Sequence, residues 1–262
     1  MTLLDATDLS IGYGDRLLAS GIGLSLDAGS IMFLLGPNGV GKTTLFKTLL
    51  GLIPAKGGVV RLSGDDVRQL SRRAFAQRVS YVPQASPTAF AYKVLDLVVM
   101  GRTSHLGTFG APSRRDHEQA LAALETLGIA GLAQHETSRI SGGQLQLVLI
   151  ARALAQGARV IFMDEPTASL DLGNRIMVLD RIRKLAADGF AVLVSTHEPE
   201  QALSFDAIVA VLSKNDFVVG RAAQLLTSAR LSGLYGTPLL VERTPSGKWS
   251  VSQGEGDIER DW

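Results

Sequence analysis

Short apolar runs rich in branched residues alternate along the chain with segments whose apolar residues recur at helical spacing. The runs at 79–82, 160–163 and 191–194 end in polar residues, and the run at 31–35 leads into a glycine loop. This alternation predicts buried parallel strands joined by crossover helices. Ligands of open parallel sheets bind at the carboxyl ends of the strands. The pattern therefore predicts an α/β fold with its functional site at that edge.

Two parts of the chain depart from the alternation. Near the N-terminus, Ile22, Leu24 and Leu26 alternate with small or polar residues, and residues 13–15 have the composition of a turn. This pattern predicts an antiparallel ribbon beside the parallel sheet. Between residues 85 and 140 the strand signals disappear, and we interpret this part as a helical insertion.

Capping residues predict where two helices begin and end. Ser113 and Asp116 form a capping box that starts one helix, which Gly128 closes. A second helix is expected over 175–187, with basic residues in its last turns and Gly189 beyond its end. The residues expected to face inward are Ala120, Leu121, Leu124 and Leu127 in the first helix and Ile176, Leu179, Ile182 and Ala186 in the second.

The C-terminal part carries a weaker pattern. Val241 and Trp249 lie in two short strand-like runs joined by a turn at 244–247, which predicts a small hairpin. Residues 253–262 have the composition of a frayed acidic tail.

Composition excludes several classes of protein. The 26 basic and 25 acidic residues leave a net charge of +1, which is far from the basic footprint of a nucleic-acid binder. The absence of cysteine excludes disulfides, thiolate zinc sites and cysteine nucleophiles. We see no export signal and no apolar stretch long enough to cross a membrane, so a cytosolic location is the simplest interpretation.

A glycine-rich loop follows the first predicted buried strand. It fits the phosphate-binding pattern of glycine, four residues and Gly-Lys-Ser/Thr, between a strand and a helix that starts at Lys42. Backbone amides of such a loop turn toward phosphate oxygens, and the helix N-terminus adds its dipole. Lys42 is expected to neutralise the β- and γ-phosphates, and Thr43 to hold Mg²⁺. The loop residues are Gly36, Pro37, Asn38, Gly39, Val40, Gly41, Lys42, Thr43 and Thr44.

Two carboxylates end the strand at 160–163. Asp164 is suited to a second magnesium contact, and Glu165 stands one residue farther on, where it could act as the general base for an attacking water. Two acidic residues after a strand are weak evidence alone. Together with the phosphate loop, they indicate a nucleoside triphosphatase.

A second glycine pair opens another helix. Ser141 is expected to cap this helix, and the amides of Gly142 and Gly143 could contact a γ-phosphate, with Gln144 following. An ordinary Ser-Gly cap is the alternative. Two phosphate sites for one nucleotide are redundant within a subunit, so the pair predicts a head-to-tail homodimer that closes over two nucleotides.

With these three motifs, the sequence resembles the ATP-binding subunit of ABC transporters. The matching segments are the phosphate loop, the signature Ser-Gly-Gly-Gln and the Asp-Glu-Pro-Thr run, and the resemblance extends from Leu9 to about Gly220. It implies ATP and Mg²⁺ as cofactors and a P-loop NTPase core with a parallel sheet, an N-terminal antiparallel β-subdomain and an inserted α-helical subdomain. Leu145 departs from the family, where a basic residue is common.

The resemblance also implies the domain boundaries. Residues 1–262 would form a single ABC ATPase domain, with 1–84 and 155–225 as the catalytic core and its β-subdomain. Residues 85–154 would be the helical subdomain that carries the signature, and residues 226–262 would be the C-terminal hairpin and tail.

The resemblance implies roles for further residues. Tyr13 matches the aromatic residue that stacks on adenine, and His197 matches the histidine that contacts the γ-phosphate. Gln84 matches the glutamine that senses the γ-phosphate and the metal, so Mg²⁺ would be held by Thr43, Gln84 and Asp164. Asp171 ends the Ser169-Leu170-Asp171 loop, which in the family crosses the dimer interface.

The stretch at 89–102 resembles the segment that docks the membrane partner in the metal-chelate importer branch. This branch takes up iron siderophores, haem, cobalamin or molybdate. The implied partners are two transmembrane permease subunits and, indirectly, a substrate-binding protein, and no nucleic acid is expected. The implied location is the cytoplasmic face of the cell membrane, where the subunit would be peripheral.

Two alternatives remain. An ABC exporter subunit is disfavoured only by the resemblance of the docking stretch. An ABC ATPase that acts on nucleic acid or ribosomes usually carries long coiled coils or two nucleotide domains, and this chain has one phosphate loop and near-zero net charge.

Overall fold

A computed structural model describes residues 1–84, 91–107, 110–214 and 216–254. Its strands are β1 (Thr2–Tyr13), β2 (Arg16–Asp27), β3 (Ile31–Leu35), β4 (Gly57–Leu62), β5 (Asp65–Asp66), β6 (Val79–Val82), β7 (Val160–Asp164), β8 (Ala191–Ser195), β9 (Ile208–Leu212), β10 (Phe217–Arg221), β11 (Leu239–Arg243) and β12 (Trp249–Gln253). Its α-helices are α1 (Lys42–Leu49), α2 (Arg72–Ala76), α3 (Val94–Val99), α4 (Arg114–Thr126), α5 (Gly142–Ala155), α6 (Leu172–Ala187), α7 (Pro199–Ser204), α8 (Ala222–Leu225) and α9 (Ser228–Tyr235). Within these described ranges, no helix has both the length and the apolar composition needed to cross a lipid bilayer.

The described residues form two compact units. Unit 1 comprises those within Met1–Leu4, Asp27–Ser30 and Leu62–Leu193, and unit 2 comprises the others. The strands predicted at 31–35, 79–82, 160–163 and 191–194 are confirmed as β3, β6, β7 and β8. The α/β fold predicted from their alternation is therefore correct.

Unit 2 contains the predicted antiparallel ribbon and one run of sheet strands. β1 and β2 are joined by a two-residue turn, and the strand order there is β2–β1–β4. In the other run, the order is β10–β9–β3, with β9 parallel to β3 and antiparallel to β10. Phe33 of β3 is fully buried and packs edge-on against Phe205, with ring centroids 5.3 Å apart. The phosphate loop therefore follows a strand that is fixed in the core of unit 2.

The C-terminal hairpin of unit 2 is also confirmed. β11 and β12 are antiparallel, and Arg243 pairs with Trp249, over whose ring its guanidinium lies at 4.7 Å. Gln253 belongs to β12, so the tail begins later than expected; residues 255–262 of that prediction lie outside the described residues.

Unit 1 contains the strand run β8–β7–β6 and most of the helices. β6 and β7 are parallel, with Tyr81 opposite Phe162 and Val82 opposite Met163. α5 packs against β6, α3, α4 and α6. Ten of its residues are buried, including Leu145, Leu147 and Ile150. α5 is therefore the central helix of unit 1, and its first turn holds the signature residues.

The buried faces of α4 and α6 differ from the predicted ones. Ala120 and Leu124 of α4 and Leu127 directly after it are buried, whereas Leu121 is 37% exposed. On α6, the predicted Ile182 and Ala186 are buried, but Leu179 is only half-buried and Ile176 is 59% exposed; Val178 and Leu185 are buried in their place. In each helix the apolar face is wider than the part of the helix surface that the neighbouring elements cover, so some apolar side chains stay exposed. The start of α6 also lies three residues earlier than predicted.

A buried ion pair holds the start of α4. Arg102 Nε donates to Asp116 Oδ1 at 2.9 Å, and Arg102 Nη1 donates to the carbonyl oxygen of Ala155 at 2.7 Å. The hydroxyl and amide of Ser113 donate to Asp116 Oδ2 at 2.6 and 2.9 Å, which confirms the capping box. The hydrogen bonds from Ser113, and then that from Arg102, hold the pKa of Asp116 well below its usual range. Asp116 therefore stabilises unit 1 in its charged form.

We expect Asp116→Asn to lower the midpoint of thermal unfolding by roughly 5 °C or more, because Arg102 would keep a buried charge without its carboxylate. The lowered pKa means that the charge of Asp116 stabilises the fold above about pH 4, and that this contribution is lost as the pH falls through the folded-state pKa. The difference between the two proteins should therefore shrink in acid. Thermal melts at a series of pH values measure it.

The matched control is Glu118→Gln on the same helix. Glu118 pairs with Arg114 at 3.0 Å, but their side chains are 58% and 94% exposed. An exposed pair of this kind contributes little, so the midpoint should change by no more than about 2 °C. Equal shifts in the two variants would contradict the role assigned to Asp116.

Candidate active site

The predicted phosphate loop lies in unit 2 between β3 and α1. Gly36 is buried, with φ 158°, and a Cβ there would lie 2.3 Å from the carbonyl oxygen of Leu212. No side chain fits this approach, so glycine is required where the loop leaves the strand. Pro37, Val40, Gly41 and Lys42 are half-buried, Asn38, Gly39 and Thr43 are exposed, and Thr44 is buried.

Lys42 bends back over the loop that precedes it. Its Nζ donates to the carbonyl oxygens of Gly36, at 2.5 Å, and of Pro37, at 3.0 Å. The ammonium group thus lies on the loop, at the N-terminal end of α1, where anions are stabilised. The exposed hydroxyl of Thr43 is the kind of hard oxygen donor that Mg²⁺ prefers.

The β1–β2 hairpin contacts the same loop. Around Gly41, a Cβ would lie 3.8 Å from Ile11 and 3.7 Å from Leu18, one from each strand of the hairpin. Tyr13 lies two residues beyond Ile11 on β1, and its side chain is 48% exposed. The hairpin therefore brings the predicted adenine-stacking residue to the side of unit 2 that carries the phosphate loop.

His197 is exposed, whereas the nearby Thr196 and Gln201 are buried. The amide of Thr196 donates to the carbonyl oxygen of Leu34 at 3.1 Å, which joins this segment to β3 just before the phosphate loop. Thr196 Oγ1 donates to Gln201 Oε1 at 3.2 Å, Gln201 Nε2 donates to Glu198 Oε2 at 3.0 Å, and the Glu198 amide donates to Thr196 Oγ1 at 3.1 Å. Thr196 and Gln201 are 2% and 4% exposed. This ring of hydrogen bonds fixes the backbone on both sides of His197.

The two predicted carboxylates lie in unit 1 at the end of β7. Asp164 is its last residue, and Glu165 follows with φ 45°. A left-handed conformation costs a residue with a side chain about 1–2 kcal/mol, and such strain is often found at functional sites. The Ala168 amide donates to the carbonyl oxygen of Glu165 at 3.0 Å, so a tight turn holds this conformation.

Tyr81 contacts Asp164 and was not predicted from the sequence. Its hydroxyl donates to Asp164 Oδ2 at 3.1 Å. Partial burial, and then the charge of Asp164 and this hydrogen bond, raise the pKa of Tyr81 to about 12. The phenol therefore remains a donor throughout the physiological pH range. No local pattern shows this contact, because it depends on the register between β6 and β7.

The signature residues form the first turn of α5. Ser141 is the N-cap, and its hydroxyl accepts from the Gln144 amide at 3.2 Å. Gln144 Oε1 accepts in return from the Ser141 amide at 2.9 Å. The predicted cap is confirmed, and the side chain of Gln144 forms part of it. Leu145 is buried, so the residue that departs from the family faces the interior of unit 1.

The second signature glycine packs against the start of α6. Gly142 is exposed, whereas Gly143 is buried, and a Cβ on Gly143 would lie 2.3 Å from Asn174. Asn174 is held in turn by Asp171, which accepts from its amide at 2.8 Å and from its Nδ2 at 2.7 Å. The bonds from Asn174 lower the pKa of Asp171. The structure thus connects the signature to the loop that ends at Asp171, through a residue that sequence reasoning missed.

Gln84 and the predicted docking stretch lie farther along unit 1. Gln84 is exposed just beyond β6. Ala89 and Phe90 lie outside the described residues, while Val94, Leu97, Val98 and Val99 are buried in α3. Tyr92 and Met100 are the exposed large side chains in the described part of the stretch. Much of it therefore packs within unit 1.

Comparison with known proteins identifies the family. The family model described as ABC transporter matches residues 19–168. An ABC transporter ATP-binding protein of Haemophilus influenzae is 43% identical over 90% of each chain. The molybdate import ATP-binding protein MolC of the same organism is 36% identical over 92% of this chain and 90% of its own.

Solved structures agree. A structure described as a metal-chelate type ABC transporter in an inward-facing conformation has a TM-score of 0.84 and 33% identity, over 96% of each chain. The chain therefore belongs to the ABC transporter family, whose ATP-binding subunits are ATPases that power transport.

Proposed function

We propose that two copies of this chain bind and hydrolyse ATP at shared sites, and that the resulting closure and opening drives an importer for a metal chelate or an oxyanion. The observation that carries the proposal is the phosphate loop. Because Gly36 has no side chain, the loop backbone packs directly against the end of β9, and Lys42 bonds to the carbonyl oxygens of the loop. Amides, the α1 dipole and the Lys42 ammonium converge there, which is the arrangement that binds nucleotide phosphates.

Hydrolysis in this proposal uses the carboxylate that follows β7. Glu165 takes a proton from a water molecule as the water oxygen attacks the γ-phosphorus, and the bond to the bridging oxygen of ADP breaks. His197 contacts the γ-phosphate and is fixed from both sides by Thr196 and Gln201. Mg²⁺ would be held by oxygen atoms of Thr43, Gln84 and Asp164 and would neutralise charge on the transferred group.

The dimer explains the second phosphate-binding motif. Ser141 and Gly142 are exposed at the N-terminus of α5, where its dipole favours an anion. In a head-to-tail pair, they reach the γ-phosphate bound by the other copy, with Tyr13 of that copy on the adenine. Hydrolysis removes this bridge, so the pair is a two-state clamp.

Import is supported by the relatives. MolC, at 36% identity, is a molybdate importer subunit, and the structural neighbour at 33% identity is of the metal-chelate type. The permease subunits would dock on this chain at the cytoplasmic face of the membrane, near Gln84 and the stretch at 89–102, and a substrate-binding protein would deliver the cargo. The domain boundaries at 84, 154 and 225 stay a prediction.

We expect Glu165→Gln to retain ATP binding and to lose turnover by about 100-fold or more, because the general base is removed. The ATP-bound dimer should accumulate, since the ATP that joins the two copies is not hydrolysed. Release of phosphate and size-exclusion chromatography with ATP measure the two effects. Glu125→Gln, which changes an exposed carboxylate on α4, is the control and should behave like the wild type. Unchanged hydrolysis in Glu165→Gln would refute the assignment of the base.

We expect Gln201→Leu to lower the free energy of unfolding by about 1–3 kcal/mol, because the buried Thr196 hydroxyl loses its acceptor. Turnover should also fall as the backbone around His197 loosens. Denaturant unfolding of Gln201→Leu, Thr196→Val and the double variant measures the interaction between the two side chains. Strictly additive losses would show that the ring does not act as a unit.

Reconstitution tests the direction of transport and the class of cargo. This chain is purified with each permease encoded beside it and, where there is one, the neighbouring binding protein. We expect ATPase activity to rise severalfold when the binding protein carries a metal chelate or molybdate. Stimulation by a lone permease without any binding protein would favour an exporter instead.

A further inference from the structure

The hydroxyl of Tyr81 is the polar group on β6 that reaches the end of β7. It donates to Asp164 Oδ2 at 3.1 Å, and the Tyr81 side chain is about one third exposed. Asp164 is the carboxylate to which the proposed function gives a magnesium contact. Tyr81 itself has no role in that proposal, so its contact with Asp164 needs an explanation.

Strand register places the two side chains together. Tyr81 lies opposite Phe162 in the parallel pair β6–β7, and Asp164 is two residues beyond Phe162. Side chains two residues apart in a strand point to the same face, so Tyr81 and Asp164 share one face of the sheet. Phe162 is fully buried, which fixes the register beneath them. A phenol is long enough to reach along the strand direction to the carboxylate, as the observed distance shows.

We propose that Tyr81 is a positioning residue that orients the Asp164 carboxylate for the Mg²⁺ that accompanies ATP. This inference rests on the proposed function, because it takes Asp164 to be a metal contact. A carboxylate has about four lone-pair sites, so accepting one hydrogen bond from Tyr81 is compatible with binding a metal. Partners that hold a metal-binding carboxylate in place typically change metal affinity or activity by about 10–100-fold when they are removed.

The same contact ties Asp164 to the segment that carries Gln84. Tyr81 is near the end of β6, and Gln84 follows three residues later, beyond Val82 and Pro83. Val82 is fully buried and lies opposite Met163, so the last residues of the two strands are held in register. The register of the two strand ends therefore holds the Tyr81 hydroxyl against the Asp164 carboxylate.

The test is Tyr81→Phe, which removes only the hydroxyl. Mn²⁺ replaces Mg²⁺ as the probe, and electron paramagnetic resonance measures free Mn²⁺ in a titration of the full chain with ATP. We expect the Mn²⁺ concentration at half-saturation to rise about tenfold. ATP affinity measured in EDTA should stay that of the wild type, since the phosphate loop is untouched. The rate at saturating metal should fall less than the metal affinity.

Tyr235→Phe is the matched control. The Tyr235 hydroxyl is buried without a hydrogen-bond partner among the described residues, so the same chemical change there should leave the Mn²⁺ titration unchanged. A thermal melt of each variant confirms that it is folded at the temperature of the titration.

The outcomes separate the inference from the function on which it rests. If wild-type protein shows no ATP-dependent Mn²⁺ binding and no hydrolysis, the proposed function is wrong. If the wild type binds Mn²⁺ with ATP and Tyr81→Phe gives the same half-saturation, the role of Tyr81 is wrong and the function stands. A lower rate in Tyr81→Phe with an unchanged metal titration also overturns the inference, because it shows a structural effect alone.

Discussion

The phosphate loop depends on one close approach, between Gly36 and the carbonyl oxygen of Leu212 at the end of β9. Because nothing larger than hydrogen fits there, the loop leaves β3 directly against the neighbouring strand and reaches α1 at Lys42. Lys42 then bonds to the carbonyl oxygens of Gly36 and Pro37, so the charge proposed to meet phosphate is held by the loop itself. A preorganised site of this kind needs little rearrangement when the anion arrives.

In unit 1, a buried glycine likewise allows a close approach beside a different motif. Gly143 allows α5 to approach Asn174 closely, and Asn174 is in turn held by Asp171 at the start of α6. A side chain on Gly143 would collide with the Asn174 side chain and disturb its hydrogen bond to Asp171. In both units, therefore, a buried glycine allows the close approach that positions a neighbouring motif.

The sequence predicts what is local and misses what depends on register. The sequence predicts strands β3, β6, β7 and β8, the Ser113–Asp116 capping box and the Ser141 cap, because each is decided within a few residues. It does not predict β4, β5, β9 and β10. Leu121 and Ile176 were assigned to the wrong face, since spacing alone does not show how wide a stripe the neighbours cover. α8 and α9 were not predicted, because α8 has only 4 residues and the helical sequence pattern of α9 contains Gly233, which disfavours a helix. Tyr81, Asn174 and the partnership of Gln201 with Thr196 were invisible for the same physical reason: they need the tertiary fold.

The two signature glycines lie in different environments. Gly143 is buried against Asn174, so its lack of a side chain serves packing within one copy. Gly142 is exposed beside Ser141 at the N-terminus of α5, where, in the proposed dimer, a backbone amide would meet an anion bound by the second copy. A change at Gly143 would therefore act first on the fold of unit 1, whereas in the proposed dimer a change at Gly142 would act on the contact between copies. The Ser-Gly-Gly-Gln motif thus places a buried packing position directly after an exposed backbone amide.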